Sequence, residues 1–588
     1  MESGTFLFMK TQETHPDTWN LSNLLGGKGA SHEGIDQVLS HVEKEIASFK
    51  LALPDLLDSY QKIASLASEA SAVIGCYLAQ DVTDTKAMEL EAKSSSIHAA
   101  LHGLSLQIDQ LLFDLSEDAF EDLIKKVPDL TFPLRERRSL AKEKMSLEKE
   151  LLASDLAVSG FHANSSLYYT LIGTLQFPFE NNSLNVSKME NFLWHKEKEK
   201  RRTAIASMES VLQKNEMFFA QILNNILDFR LRLYKNRGWT NYLHETLRQN
   251  RMSEKTLQTM WSVIVANHGH LKKFMDAKAH LLGLKTLDFT DTMAPLSIES
   301  DTHLDWNFAC NEILTQFQKV SPSLASFSKR AFKESWIESR PCDKKRAGGF
   351  CTSMMDSKET RIFMTFSGSS HSMGTLAHEL GHAYHADVLY KKPYLLRDYP
   401  MNLAETASTM CEMIVSDNAI KNASNEKEKL SLLDDKITGY LAYSMNIYSR
   451  FLFDSKIHEE RAKGFITPEK MNAFMLDAQK EAYGNHLSEY FPHFWCYKMH
   501  FYFTDASFYN WTYTFGFLFS LGLYAHLTKA GTFEKSYEAL LMDTGSMNVE
   551  DLAKKHLGVD LTRADFWQGA IDMLNKDIQQ FIDLSNRL

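Results

Sequence analysis

In the stretch TLAHELGHAYH, residues 375–385, His378 and His382 stand four residues apart and Glu379 follows the first of them. On a helix, residues four apart share a face, so both imidazoles can present a nitrogen to one ion at about 2.0–2.1 Å. Glu379 points about 100° away around the same helix, where its carboxylate can reach a water activated by the metal rather than the metal itself. Amide hydrolysis needs that division of labour. The ion lowers the pKa of its water and polarises a carbonyl, and the glutamate takes the proton and returns it to the leaving amine. With 22 histidines in 588 residues and glutamate at roughly 7%, H-E-x-x-H is expected by chance about 0.06 times, so context has to carry the rest.

Ser369, Ser370 and Ser372 offer N-caps ahead of the motif and Pro393 follows it, which predicts a helix about as long as the motif requires. A catalytic zinc takes three protein ligands and one water. Downstream, YPMNLAETASTMCEMI predicts another helix after Pro400, with Asn402 and Glu405 at capping-box spacing. Glu412 lies nearly two turns beyond Glu405, so both carboxylates share one face of an otherwise apolar helix carrying Leu403, Met410 and Met413. Buried acids need a partner, and a cation is the natural one. Glu405 is therefore assigned as the third ligand and Glu412 as the acceptor that holds a histidine N–H.

The elements around the motif must position it. The low proline content, 12 in 588 residues, favours long uninterrupted helices. Ile35, Val38, Val42, Ile46, Phe49 and Leu53 follow helical spacing up to Pro54, and so do Ile97, Leu101, Leu104, Ile108, Leu111 and Leu115. LRERRSLAKEKMSLEKELLA from 134 reads as a solvated helix, so the first third is expected to be antiparallel helical hairpins. Turn-forming residues cluster in FPFENNSLNVSK, around 177–188, and mark an internal boundary. The period changes at GGFCTSMMDSKETRIFMTFSGS, where Ile362, Met364 and Phe366 alternate with Arg361, Phe363 and Thr365. With DSKET as the turn, this predicts a β-hairpin immediately before the motif. On a functional reading the 362–367 strand, with Phe366 on it, offers an edge to substrate backbone, and Gly348, Gly349 and Gly516 leave room. The plain alternative is that they are turn or close-packing glycines.

Composition narrows the function further. A net charge of -11 without a long basic stretch argues against affinity for nucleic acid or anionic membrane. No run reaches eighteen apolar residues, and TFGFLFSLGLYA, 514–525, reads as a buried core helix. The N-terminal FLFM run is too short for a signal peptide. Six scattered cysteines form no C-x-x-C pair, which fits a reducing cytoplasm.

TLAHELGHAYH followed by AETASTMCE, with Glu405 twenty-three residues after His382, resembles the thimet oligopeptidase and oligoendopeptidase F family of zinc metallopeptidases, and is closest to oligoendopeptidase F. RGWTNYLHETLRQNRMSEKTL from 237, AGGFCTSMMDSKETRIFMTFSGS from 347 and HFYFTDASFYNWTYTFGFLFSLGLY from 500 read like that family's blocks, over roughly residues 120–580. The resemblance implies a mainly α, two-lobed helical peptidase with one Zn2+ on the floor of a deep cleft and a small β-sheet beside the active-site helix. It also implies a lid from residues 1–185, a catalytic domain from 186–588, and cleavage of internal bonds in short peptides. A late histidine and tyrosines face the metal in that family, and His500, Tyr509 and Tyr513 match them. An anionic tetrahedral intermediate needs donors of that kind. Tyr502 is read as core.

The expectation is a cytoplasmic zinc endo-oligopeptidase acting on short unstructured peptides. One alternative is a zinc carboxypeptidase of related helical fold, which would need a cation or amide to capture the substrate's C-terminal carboxylate. The other is a non-catalytic peptide-binding protein, against which the intact set His378, Glu379, His382 and Glu405 counts.

Overall fold

A computed structural model describes residues 14–50, 52–296, 304–346, 348–530 and 533–587. The FLFM run lies outside them. The first long helices among the described residues are α1 (His32–Ala47), α2 (Asp55–Gln80) and α3 (Thr85–Asp114). Ile35, Val38 and Val42 of α1 meet Ile63, Ala67 and Ile74 of α2 and Ile97 and Leu101 of α3 in one core. The helix predicted to run to Pro54 stops at Ala47, so Phe49 and Leu53 lie in the connection to α2.

The charge-rich segment from 134 departs from the expected single solvated helix. It forms two helices, Thr131–Lys142 and Leu147–Ala157. Arg138 is buried, its Nη2 donating to the Leu115 carbonyl at 2.8 Å. Glu150 is also buried, accepting from Arg237 Nη2 at 2.6 Å. Ion pairs to neighbouring helices drew these charges inward, and periodicity alone does not reveal them.

The turn cluster near 180 is a small hairpin, β1 (Phe177–Phe179) and β2 (Asn182–Leu184). Phe177 and Phe179 sit in the same large core as the helices that follow. After a short helix, Val186–Leu193, comes the 40-residue helix α4 (Lys198–Arg237), stopped by Gly238 in the left-handed region at φ 77°.

The main sheet contains β3 (Ile337–Glu338), β4 (Phe350–Met354) and β5 (Glu359–Phe363), in the order β3-β5-β4. The predicted hairpin is present as the antiparallel pair β4 and β5, with Thr352 opposite Arg361. The strand expected to offer an edge is instead the middle one. Beyond it, Met364 and Phe366 donate their backbone N–H to Glu338 and Ser339 carbonyls at 2.9 Å, because β3 arrives from upstream and pairs in parallel. The outer strands are β3 and β4. Both faces of the sheet are covered. Phe363 and Met354 belong to the α1–α3 core, whereas Ile362 and Met364 belong to the large core of the rest of the chain. Buried Arg361 fastens the N-terminal segment to the sheet centre, donating to the Asn20 carbonyl at 2.8 Å and Asn23 Oδ1 at 2.9 Å. Asn20 N–H donates to the Ser335 carbonyl at 2.7 Å, and Ser339 N–H to that of Asp17 at 2.9 Å.

The motif helix is α5 (Ser370–Leu389), opened by a capping box between Ser369 and Ser372. Three more helices matter for the site: α6 (Met401–Lys421), α7 (Ile447–Arg461) and α8 (Trp511–Ala530). α8 contains the apolar 514–525 run, and Phe515, Leu518, Phe519 and Leu523 are fully buried. No described helix is long and apolar enough to cross a membrane.

Glycine sets the distance between these helices. A Cβ on Gly381 of α5 would lie 2.5 Å from the Ala407 carbonyl oxygen and 2.6 Å from Ser408 Cα on α6. A Cβ on Gly516 of α8 would lie 2.8 Å from Glu405 Cβ. Gly374, one helical stretch earlier in α5, has nothing within 4 Å of such a Cβ. Gly381→Ala should therefore force α5 and α6 apart and cost about 1–3 kcal/mol, whereas Gly374→Ala should be neutral or stabilising by up to about 1 kcal/mol. Urea unfolding of both variants checks this contrast, and equal effects would mean that the close crossing is not what Gly381 provides.

Candidate metal and catalytic centre

His378 and His382 lie on one face of α5 with ring centroids 4.9 Å apart. α6 crosses them at the Gly381 contact, so that Glu405 Oε2 is 3.4 Å from His378 Nε2 and 3.6 Å from His382 Nε2. Two donors each about 2.0–2.1 Å from a tetrahedral centre are about 3.3–3.4 Å apart, so this spacing fits one small ion. Among the described residues these three form the one group of histidine, cysteine and carboxylate side chains that converges closely enough to hold a metal.

The capping box that the Asn402–Glu405 spacing would allow at the start of α6 does not form. Pro400 is the N-cap and has no side-chain bond. The helix end is instead held from another part of the chain, with Asn402 N–H donating to Asn250 Oδ1 at 3.0 Å and Asn402 Nδ2 to the Asn250 carbonyl at 3.2 Å. Glu405 is thereby left for the histidines, and Ser408 Oγ steadies it by donating to Oε2 at 2.8 Å. Glu412 Oε2 lies 3.4 Å from His378 Nδ1, within reach of the ring's second nitrogen. It is not the buried acid expected from the apolar helix, since its side chain is 52% exposed. His385, in the same quoted stretch, turns away from the group and bonds Thr544 Oγ1 at 2.9 Å.

The charges are strongly coupled. Burial disfavours charge on both histidines, but the Glu412 hydrogen bond and the Glu405 and Glu379 carboxylates hold the pKa of His378 up at about 9. Burial pushes His382 down, towards the neutral form that ligates metal. Burial also pushes Glu379 up to about 7, Glu405 adding to the rise and His378 opposing it. Glu379 is not among the converging ligands, and its buried Oε2 has no hydrogen-bond partner among the described residues. An orphaned carboxylate oxygen beside a metal-ligand group is poised to bond a water or a substrate group.

His500, Tyr509 and Tyr513 come together. The His500 ring lies 5.7 Å from Tyr509 and 5.9 Å from Tyr513, and the two phenols are 5.5 Å apart. Gly516 seats this end of α8 against Glu405. Burial raises both phenol pKa values, so both keep their protons for donation. His500 is pulled down to about 3 by burial, with Arg450 and Lys498 adding to the effect, so its ring is neutral; its buried Nδ1 is unpartnered among the described residues. Tyr502 is fully buried and stacks on Tyr168 at 3.8 Å, as expected for a core residue.

Gly349 passes close to Glu379: a Cβ there would be 3.4 Å from its Oε1. Gly348 precedes it with φ 96° and open space around it. The Phe366 ring packs edge-on against Trp306 at 5.3 Å. Sequence reading missed Gly381, Ser408 and Asn250. Gly381 carried a signal, a glycine retained in mid-helix despite its entropic cost.

Metal content separates the roles. Glu379→Gln should keep about one metal ion per chain, and His382→Ala should lose it. Metal analysis of dialysed protein checks this, and a Glu379→Gln variant as empty as His382→Ala would make Glu379 a ligand.

The family model described as peptidase family M3 matches residues 192–573 of this chain. The group B oligopeptidase PepB of Streptococcus agalactiae is 24% identical over 95% of this chain and 92% of that protein. A solved structure from Chlamydophila abortus superposes with a TM-score of 0.79 at 21% identity, covering 97% of this chain and 98% of that one. The oligoendopeptidase F structure from Enterococcus faecium gives 0.68 at 18% identity over 95% and 98%. The structural likenesses show the shared, mostly helical fold. The family match spans α5, α6 and α8 and takes in His378, His382, Glu405, His500, Tyr509 and Tyr513, so the chain belongs to peptidase family M3 and is a metalloendopeptidase.

Proposed function

We propose that this protein is a zinc-dependent endo-oligopeptidase that hydrolyses internal bonds of short, unstructured peptides. The observation that carries the reading is the single Glu405 oxygen at 3.4 and 3.6 Å from two histidine nitrogens, with the unpartnered Glu379 carboxylate beside them. Two imidazoles and a carboxylate suit zinc. When bound there, zinc would polarise the scissile carbonyl and lower the pKa of a water.

The chain supplies the other functions. Glu379 takes the proton of the attacking water and passes it to the leaving amine, a task that suits a carboxyl held near neutral pKa. Tyr509, Tyr513 and the neutral His500 donate hydrogen bonds to the oxyanion as it develops. Glu412 accepts from the far nitrogen of His378 and so orients that ring for ligation. Substrate backbone pairs with the open edge of β4, and Gly348 and Gly349 let it come close to Glu379. Phe366, bonded through its backbone to Ser339 beyond β3 and packed on Trp306, holds the chain that leads from β5 into α5.

The size limit comes from residues 1–185 acting as a lid over a cleft between two lobes. Support comes from a cavity of about 510 Å³ in which Ser68, Ser71 and Gly75 of α2 and His98 of α3 line up opposite Cys351 and Thr352 of β4. An extended chain can lie along this open groove beside β4.

Two experiments test the reading. Tyr509→Phe and Tyr513→Phe should each lower kcat by about ten- to a thousandfold with little change in KM and unchanged zinc content. Wild-type kcat in both would return these tyrosines to packing. For size, a peptide library read by mass spectrometry with and without chelator should show chelator-sensitive internal cuts. Casein cut as fast per bond as a ten-residue peptide would refute the enclosed cleft.

A further inference from the structure

Next to His500 and Tyr513 lies a second cavity, of about 380 Å³, within the range of small-ligand pockets. Trp194, Phe289, Met293 and Phe494 give it largely apolar walls, interrupted by two cations, Lys498 and Arg450 of α7. The cations are not equivalent. Lys498 Nζ is 2.7 Å from Glu190 and so has its counter-charge.

Arg450 has none. Its Nε donates to Asn446 Oδ1 at 2.8 Å and its Nη1 to Asn510 Oδ1 at 3.0 Å, both neutral amides. Nη2 has no protein acceptor, and no carboxylate oxygen lies within 4.0 Å of the guanidinium, among the described residues. Phe494 covers it, with the guanidinium carbon 5.1 Å from the ring centroid. Asp454, one turn on along α7, does not neutralise it, because burial pushes that carboxyl up to about 8 and keeps it largely protonated at neutral pH. A guanidinium cannot shed its proton at any working pH, so this half-buried, unpaired one in a largely apolar wall is a ready partner for an anion. The cavity shares His500 and Tyr513 with the proposed oxyanion donors. A group seated in it therefore belongs to a substrate residue at or near the scissile bond.

We propose that this cavity receives a carboxylate of the peptide substrate, either an acidic side chain or the free C-terminus, with Arg450 as its partner. The inference rests on the peptidase reading above and adds a determinant of which peptides are cut and where. Guanidinium and carboxylate pair in a planar, charge-assisted fork that a neutral amide cannot replace.

Twin fluorogenic peptides test it. One series moves a Glu or a Gln through the positions flanking the cut, and a second carries a free or an amidated C-terminus. Wild-type enzyme should favour one carboxylate-bearing member over its neutral twin by about tenfold or more in kcat/KM. Arg450→Gln should reduce that ratio to within about threefold, leaving the neutral twin's turnover near wild type. A preference that follows the Glu assigns the cavity to acidic side chains, and one that follows the free terminus assigns it to the C-terminal carboxylate, with cuts at a fixed distance from that end. Binding to the Glu379→Gln variant, measured by calorimetry, should show the same ratios without turnover. Thermal melting checks that each variant folds. If Arg450→Gln does not, Arg450→Lys, which keeps the charge but loses the fork, should still shift the wild-type ratio by about threefold. Equal cleavage of the twins by wild type, or an equal loss on both twins in Arg450→Gln, overturns this inference alone. No cleavage of any peptide overturns the peptidase reading and this inference with it.

Discussion

The site depends on how closely two helices cross. α5 supplies both histidines and α6 supplies Glu405, and neither helix alone can complete a ligand set. Only a hydrogen at the Gly381 Cα separates the axes at the point where Ala407 and Ser408 pass. Gly516 performs the same service for α8 against Glu405 itself. Three helices thus converge on one carboxylate through two absent side chains. Glu405 on α6, Glu379 on α5 and Tyr513 at the start of α8 inherit their relative positions from that packing. A site built on rigid helices needs little reorganisation when substrate arrives, which is where electrostatic catalysis gains most.

The same packing concentrates negative charge. Glu379, Glu405 and Glu412 all act on His378 and favour its protonated form, against the burial that opposes it. A bound cation must displace that proton, so metal uptake and proton release are linked. Glu379, kept out of the ligand set by its position around the helix, bears the cost of burial with one oxygen unpaired. Groups whose environments push their pKa values apart in this way mark where acid and base work is divided.

Much of this was legible in the sequence. His378 and His382 stood at a spacing that puts two imidazoles on one helical face, and α5 begins at the serine caps that predicted it. The β4–β5 hairpin followed from alternation and the DSKET turn. What could not be read were properties set by partners distant in sequence. The middle position of β5 depends on β3 pairing in parallel from upstream. The capping of α6 by Asn250, in place of a local box, depends on a contact 152 residues away. The exposure of Glu412 and the burial of Arg138 and Glu150 depend on which neighbours arrive, and a helical period of 3.6 residues is silent about that.

The bonds that tie Asp17 and Asn20 to Ser335, Ser339 and Arg361 have a consequence for how the chain is made. Closing a loop from residue 20 to residue 361 costs about 5 kcal/mol of chain entropy, and it cannot begin until that far strand has left the ribosome. The first three helices can collapse on one another early, but their shared core is finished by Met354 and Phe363, which are synthesised hundreds of residues later. Until then the nascent chain carries an unsealed apolar face. Long-range closure of this kind slows folding and exposes intermediates to aggregation. Production of this enzyme will therefore be sensitive to translation speed and chaperone supply, and its two halves, expressed as separate pieces, will each lack part of the other's core.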